Sequence, residues 1–133
     1  MDVKKNLPRI LLAISALIQA GGGVVHAMVF SKATTVLEAT NMPAFYANSF
    51  RALWLIDSAS LISVAVLLAV IIVKPALASG WLVMLLALIP LCTAVLVFIF
   101  VGGLFPPAVT LAVAALLMVV AGWLMPKGGA RGV

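Results

Sequence analysis

Charged residues are scarce in this chain. Asp, Glu, Lys and Arg make up only 8% of its 133 residues, and only three residues are acidic. Soluble domains carry about 25% charged residues. Hydrophobic residues reach 66%, which gives more apolar surface than one small soluble domain can bury. The shortage of charge therefore excludes an ordinary soluble domain and indicates an integral membrane protein.

Chemically reactive side chains are equally few. Cys92 is the only cysteine and cannot form an intramolecular disulfide, so we expect it to pack as a small apolar residue. The sequence contains no serine nucleophile motif, pair of catalytic carboxylates or phosphate loop, so we do not expect an enzyme that acts alone. A metal site requires three or four ligands, and the candidate ligands show no recognised spacing: His26, Glu38, Asp57 and Cys92.

Long apolar runs dominate the sequence. Four runs, at residues 10–30, 52–73, 81–101 and 108–125, are each close to the roughly 20 residues that a helix needs to cross a bilayer. The first run is longer than the apolar region of a signal peptide and has no A-x-A-like site after it, so we expect it to remain as a helix. Short connections favour antiparallel neighbours. We therefore predict one domain, residues 1–133, built as an all-α, four-transmembrane-helix up-down bundle.

The basic residues are unevenly distributed around the predicted helices. Six of the eight lie on one side of such a bundle, and the positive-inside rule makes that side cytoplasmic. Both termini are therefore expected in the cytoplasm. Because these cations flank helix ends and form no basic face, we expect no nucleic-acid partner. The cytoplasmic set is Lys4, Lys5, Arg9, Lys74, Lys127 and Arg131, and the outer pair is Lys32 and Arg51.

The connection between helices 1 and 2 is predicted to be the longest loop and to lie outside the membrane. It covers residues 31–51, and its mixture of apolar and polar residues favours a short interfacial helix that covers the outer end of the bundle. At the end of this segment, Arg51 is expected to reach the outer surface or to pair with Glu38. These two residues are the predicted charge partners of the outer loop.

Helix 1 contains the stretch "QAGGGVVHAMVF", in which polar and small residues interrupt the apolar run. Polar and small residues recur at intervals of three or four and therefore share one helix face: Ser15, Gln19, Gly22 or Gly23, and His26. One interpretation is helix packing, since small residues let helix backbones approach and polar side chains then bond between helices. The other is that Gly22 and Gly23 leave room for a flat ligand or an acyl chain beside His26.

Helix 2 contains "RALWLIDSASLIS", which places Asp57 inside an apolar span. An ionisable residue there costs about 2.5 to 3.5 kcal/mol on insertion scales and therefore suggests a functional role. At about 1.5 Å per residue, His26 and Asp57 lie about 6 Å and 8 Å below the outer interface. A contact between them would lower the cost of burying both. Arg51 is a second candidate partner for Asp57, and the following serines with water are a third.

The segments "GGGVVHAMVF" and "ANSFRALWLIDSASLISVAVLL" resemble the DoxX-like group of small bacterial four-helix membrane proteins. The resemblance lies in a glycine-rich helix 1 that ends near a histidine and in a polar or basic residue that opens helix 2. It covers about the first half of the chain, and Asp57 has no counterpart in the pattern. It implies a four-helix fold, a bacterial inner membrane location, and a role such as an accessory part of a redox membrane complex.

Two functions follow as hypotheses. The first is a non-enzymatic membrane protein with a polar pocket in the outer leaflet, which binds a lipid-like or quinone-like molecule or joins a larger membrane complex. The second is a small proton-coupled carrier that works as a dimer, with Asp57 as its proton site. The predicted pocket residues are Gln19, Gly22, Gly23, His26, Trp54 and Asp57.

Overall fold

The computed structural model describes residues 3–103 and 105–125, with side chains from residue 6 onward. This part of the chain is helical and contains no β-strand. The chain is a multi-pass, all-α membrane protein, and its apolar helices indicate a lipid bilayer environment. The predicted cytoplasmic residues Lys127 and Arg131 lie outside the described residues. Within residues 3–103 and 105–125, four helical segments are long and apolar enough to cross a membrane: Asn6–Glu38, Ala44–Val73, Gly80–Gly102 and Pro106–Leu124.

The first two helices are longer than the sequence indicated. Helix α1 covers Val3–Glu38 and helix α2 covers Ala44–Val73, against predicted spans of 10–30 and 52–73. The expected long outer loop is therefore wrong, because only residues 39–43 separate the two helices. Helices α1 and α2 form one continuous antiparallel hairpin.

Local chemistry explains why α1 continues past its apolar run. Residues 31–38 contain neither proline nor glycine, and the hydroxyl groups of Thr34 and Thr35 donate to the carbonyl of Ser31 at 2.8 and 3.0 Å, inside the same helix. The predicted end of the first helix at residue 30 is the point at which hydropathy falls. Loss of hydropathy ends a membrane-buried run, but it does not end a helix.

The third span is interrupted. Helix α3 covers Gly80–Leu86, helix α4 covers Leu88–Val97, and a π-helical turn covers Phe98–Gly102. The break at Ala87 lies just before Pro90, whose missing N–H leaves one turn without its usual backbone hydrogen bond. Together the three pieces replace the single predicted run of residues 81–101.

The fourth span, helix α5, covers Pro106–Leu124, close to the predicted 108–125. The chain reverses direction before it at Gly102 and Gly103, whose φ angles of 98° and 69° are positive. A side chain would be strained at such angles, whereas glycine is not. Prolines at the start of α5 suit a helix N-terminus, because the first N–H groups have no partner within the helix.

The helices are arranged around α1 and α5. Helix α1 packs against α2 on one side and α5 on the other, and α5 in turn packs against α3 and α4. Within the described residues, the backbones of α2 and the third span approach each other little, although their side chains meet in the core. We call the main buried apolar group the inner core cluster. It consists of Leu12, Val64, Leu68, Ile71, Val83, Ala87, Met118 and Ala121.

Helices α3 and α5 make their closest contact through two glycines. A Cβ atom built on Gly80 would overlap the Gly122 carbonyl oxygen, and one built on Gly122 would lie 2.6 Å from the Gly80 carbonyl oxygen. The backbones themselves are therefore in contact. This crossing fixes α3 against the end of α5, and no pattern in the sequence predicted it.

The α1–α2 hairpin is longer than the bilayer requires. The first membrane segment has 33 residues, which corresponds to about 50 Å of helix, whereas the hydrocarbon core is about 30 Å thick. The excess lies at the tip of the hairpin, where polar residues replace apolar ones. Exposed polar residues near the tip are Ser31, Lys32, Thr35, Glu38, Thr40, Asn41 and Asn48.

Candidate functional site

A stacked pair of rings joins α1 to α2. The ring centroids of His26 and Trp54 are 4.2 Å apart and the rings are inclined by only 9°. Trp54 Nε1 also donates to the main-chain carbonyl of His26 at 2.8 Å. On α2, Phe50 contacts the Trp54 ring with a centroid distance of 5.4 Å. The imidazole is therefore held in a defined orientation against α2.

At its Nδ1 edge, the imidazole approaches two polar residues of α2. His26 Nδ1 lies 2.9 Å from Ser58 Oγ and 3.8 Å from Asp57 Oδ2. Ser58 is therefore the hydrogen-bond partner of His26, and the Asp57 carboxyl group lies beside that bond. The structure brings His26 and Asp57 together at the distance of an ion pair, while Arg51 pairs elsewhere. We call His26, Trp54, Asp57 and Ser58 the polar cluster.

The polar cluster is open on one side. The side chains of His26 and Asp57 are 30% and 33% exposed to solvent. Within the described part of the chain, neither the Asp57 carboxyl group nor His26 Nε2 has a hydrogen-bond partner. Polar atoms in an apolar span are costly when they are left without a partner. These atoms are therefore available to an external molecule.

The height of the polar cluster explains why α5 does not cover it. Ser15 Oγ donates to the Ala114 carbonyl at 3.0 Å, so these residues are level. From Ala114 to the start of α5 at Pro106 is about 12 Å, and the same distance along the antiparallel α1 reaches Gly23. His26 lies about 4.5 Å farther out. The fourth span therefore begins below the cluster, which only the α1–α2 hairpin carries.

Of the three glycines in α1, only Gly23 is in close contact with α2. A Cβ atom on Gly23 would lie 2.8 Å from Ile62 Cγ1 and 3.0 Å from the Ser58 carbonyl oxygen. A Cβ atom on Gly22 would lie 3.9 Å from Leu61, and one on Gly21 would meet nothing within 4 Å. Gly23 is thus a helix-packing residue, because atoms of α2 occupy the space that its side chain would need.

Gln19 lies in the interior, away from the polar cluster. It is fully buried, and its Nε2 donates to Ser15 Oγ and to Met118 Sδ, both at 3.3 Å. Its Oε1 has no hydrogen-bond partner in the described structure. Because Gln19 lies two turns below His26, about 10 Å along the helix, it belongs to the α1–α5 contact.

Glu38 and Arg51 link the ends of α1 and α2 near the hairpin tip. Arg51 donates to Glu38 Oε1 at 2.8 Å and to Asn48 Oδ1 at 3.0 Å. The Glu38 side chain is largely exposed, so this ion pair stabilises the tip only weakly, by about 0 to 1 kcal/mol. Its geometric effect is to hold Arg51 away from Asp57.

An apolar groove of about 400 Å³ lies between α4 and α5, separate from the polar cluster. Its walls contain no polar group that would orient a head group, and none of its lining residues belongs to α1 or α2. The groove is lined by Leu91, Ala94, Val95, Phe98, Ala108, Val109, Ala112, Val113 and Leu116.

Within the described residues, no group of three or more His, Cys, Asp or Glu side chains is placed to hold a metal ion.

Comparisons with known proteins identify no relative. No protein-family model matches the chain, and neither the curated proteins nor the solved structures gave a significant match. The functional interpretation therefore depends on the polar cluster and on the bundle that carries it.

Proposed function

We propose that the protein is a non-enzymatic membrane protein that binds the polar head of a lipid-like or quinone-like molecule at the polar cluster. The observation that supports this most directly is the pair of unpartnered polar groups, the Asp57 carboxyl group and His26 Nε2, each on a side chain that is about one-third exposed. Amphiphiles dissolved in the bilayer present a polar head and an apolar tail. The head would bond to the cluster while the tail follows the apolar surface of α1 and α2.

The rigidity of the imidazole supports binding rather than packing alone. Trp54 stacks on His26 and bonds to its backbone, and Ser58 holds Nδ1. A side chain that is already ordered loses less conformational freedom when a ligand binds. A purely structural histidine would instead be expected to bury both ring nitrogens.

A proton-coupled dimeric carrier, with Asp57 as its proton site, is less well supported. Such a carrier requires polar groups that continue from Asp57 to the cytoplasmic side. The inner core cluster lies in that direction and is apolar, with Leu68 and Met118 fully buried. Ser15 and Gln19 are buried between α1 and α5, but they bond to each other and to α5.

In this proposal the chain resides in the bacterial inner membrane with both termini in the cytoplasm. Its DoxX-like features and the distribution of its basic residues imply this location and orientation. An accessory position in a larger membrane complex, or a homo-oligomer, is compatible with ligand binding, because the apolar outer faces of the helices remain free in the described structure.

Native mass spectrometry tests this proposal. We expect the purified wild-type protein to retain a bound amphiphile, and Asp57→Asn to lose most of it. Ser60→Ala is the matched control, because Ser60 lies on the same helix and its hydroxyl donates only to the Ile56 carbonyl, at 2.8 Å. Equal retention by all three proteins, or no retained molecule in any of them, would contradict the proposal. The same spectra report the oligomeric state.

A further inference from the structure

The hydrogen bonds of Ser58 indicate which nitrogen of His26 carries the proton. The Ser58 hydroxyl donates to the Trp54 carbonyl at 3.2 Å, one helical turn earlier. A serine hydroxyl has a single hydrogen. If that hydrogen is directed to Trp54, the 2.9 Å contact between His26 Nδ1 and Ser58 Oγ requires a hydrogen on Nδ1.

Asp57 favours the same tautomer. Its Oδ2 lies 3.8 Å from His26 Nδ1, so a hydrogen on Nδ1 is attracted to the carboxylate, whereas a bare lone pair there would be repelled. Both contacts therefore favour a hydrogen on Nδ1. In the neutral imidazole, Nε2 then carries a lone pair and acts as an acceptor.

With Asp57 ionised and His26 neutral, both open groups of the polar cluster are acceptors. As a carboxylate, Asp57 only accepts hydrogen bonds, and Nε2 of the neutral His26 does the same. Trp54 Nε1, a nearby donor, is already used by the His26 carbonyl. A head group that only accepts hydrogen bonds would leave these acceptors unpaired, which is unfavourable for polar groups in an apolar span.

We infer that the site selects amphiphiles whose heads donate hydrogen bonds, such as hydroxyl, quinol or primary ammonium heads, over heads that only accept, such as the carbonyl-only quinone. This inference rests on the proposed function and specifies its ligand class. The discrimination comes from the donor, and a positive charge on the head adds attraction to Asp57. The contributions of the hydrogen-bond donor and of the positive charge to binding can be separated by experiment.

Two matched pairs of amphiphiles test the inference. Dodecanol and dodecyl methyl ether are neutral and differ in one donor, while dodecylammonium and dodecyltrimethylammonium carry the same charge and differ in their N–H donors. Each is titrated into detergent-solubilised protein carrying Trp81→Phe and Trp123→Phe, so that emission reports Trp54 beside His26. Both replaced tryptophans are exposed, so these changes should leave the fold intact. Comparison with Asp57→Asn in the same background corrects for partitioning into the micelle.

The donor member of each pair is expected to bind about tenfold more tightly, the difference that one hydrogen bond typically provides. Equal binding within both pairs, or tighter binding of the ether and the trimethylammonium compound, would overturn the inference while leaving the proposed function intact. If no compound changes Trp54 emission in an Asp57-dependent way, the proposed function fails and the inference fails with it. Ser60→Ala in the same background should bind as the parent does.

Discussion

At the scale of single residues, His26 is held by α2 from three directions. Trp54 stacks on its ring, Ser58 bonds to its Nδ1, and the Trp54 indole bonds to its carbonyl. Gly23 lies one turn below and permits this geometry, because its missing side chain lets α2 approach. Gly23 and His26 therefore act together, because the close packing of α2 at the glycine positions the histidine ring.

Gly23→Leu is expected to destabilise the protein by about 1 to 3 kcal/mol, the usual cost of overpacking. The reason is that a Cβ atom at this position already lies 2.8 Å from Ile62 Cγ1 and 3.0 Å from a backbone carbonyl oxygen. Unfolding of the detergent-solubilised protein measures the effect. Gly21→Leu is the control, since a Cβ atom there meets nothing within 4 Å. Equal stability of the two variants would show that α1 and α2 do not pack closely at Gly23.

At the scale of helices, the crossing of α3 and α5 depends on glycine at two positions. Gly122→Ala is expected to destabilise the protein by about 1 to 3 kcal/mol, because the new methyl group would meet the Gly80 carbonyl oxygen at 2.6 Å. Backbone atoms cannot rotate away as a flexible side chain can. Thermal unfolding in detergent measures the change.

Gly21→Ala provides the matched control for this crossing. It makes the same chemical change in a helix but in open space, so higher helix propensity should make it neutral or stabilising by up to about 1 kcal/mol. The two substitutions should therefore have opposite or clearly different effects. A stabilising Gly122→Ala would mean that α3 and α5 are farther apart than the structure has them.

The sequence predicted the number of membrane helices well and their ends less well. Each apolar run corresponds to one span, because length and hydropathy decide whether a helix crosses a bilayer. The extension of α1 to Glu38 was missed because helical geometry continues through polar residues without a breaker. The Gly80–Gly122 contact was missed because nothing local distinguishes a glycine at a helix crossing from one in a loop.

The polar cluster was only partly predictable. The contact between His26 and Asp57 was predictable because the two residues lie at similar depths in adjacent antiparallel helices. Depth follows from the helical rise per residue alone. The choice of Ser58 as the bond partner of His26 depends on helix rotation, which the sequence does not specify. The same limit explains Gln19, which shares a face with His26 by spacing but packs against Met118 in α5.

At the scale of the whole molecule, the length of the α1–α2 hairpin relative to the third span and α5 determines what the protein presents to its surroundings. The α1–α2 hairpin continues past the start of α5 and carries the polar cluster and the tip. We expect this extended end to face away from the cytoplasm, as the basic residues imply. The cluster would then receive ligands from the outer leaflet.

Cysteine labelling in whole cells checks this orientation. In a Cys92→Ala background, a cysteine at Thr40 in the hairpin tip should react with a membrane-impermeant maleimide. A cysteine at Ala76, in the turn between the second and third spans, should react only after the membrane is permeabilised. Both positions are exposed, so access depends on the side of the membrane. The reverse pattern would invert the orientation and move the site to the inner leaflet.

The most direct test of the account is nitrogen NMR of His26, the only histidine in the chain. Protein labelled with 15N-histidine and purified without a histidine tag gives one pair of ring nitrogen signals. We predict a protonated Nδ1 and a bare Nε2, with the Nε2 signal shifting when dodecylammonium or dodecanol is added and failing to shift in Asp57→Asn. A protonated Nε2 with a bare Nδ1 would contradict the selectivity for donor heads, and an Nε2 signal that neither compound changes would contradict a ligand site at His26 and Asp57.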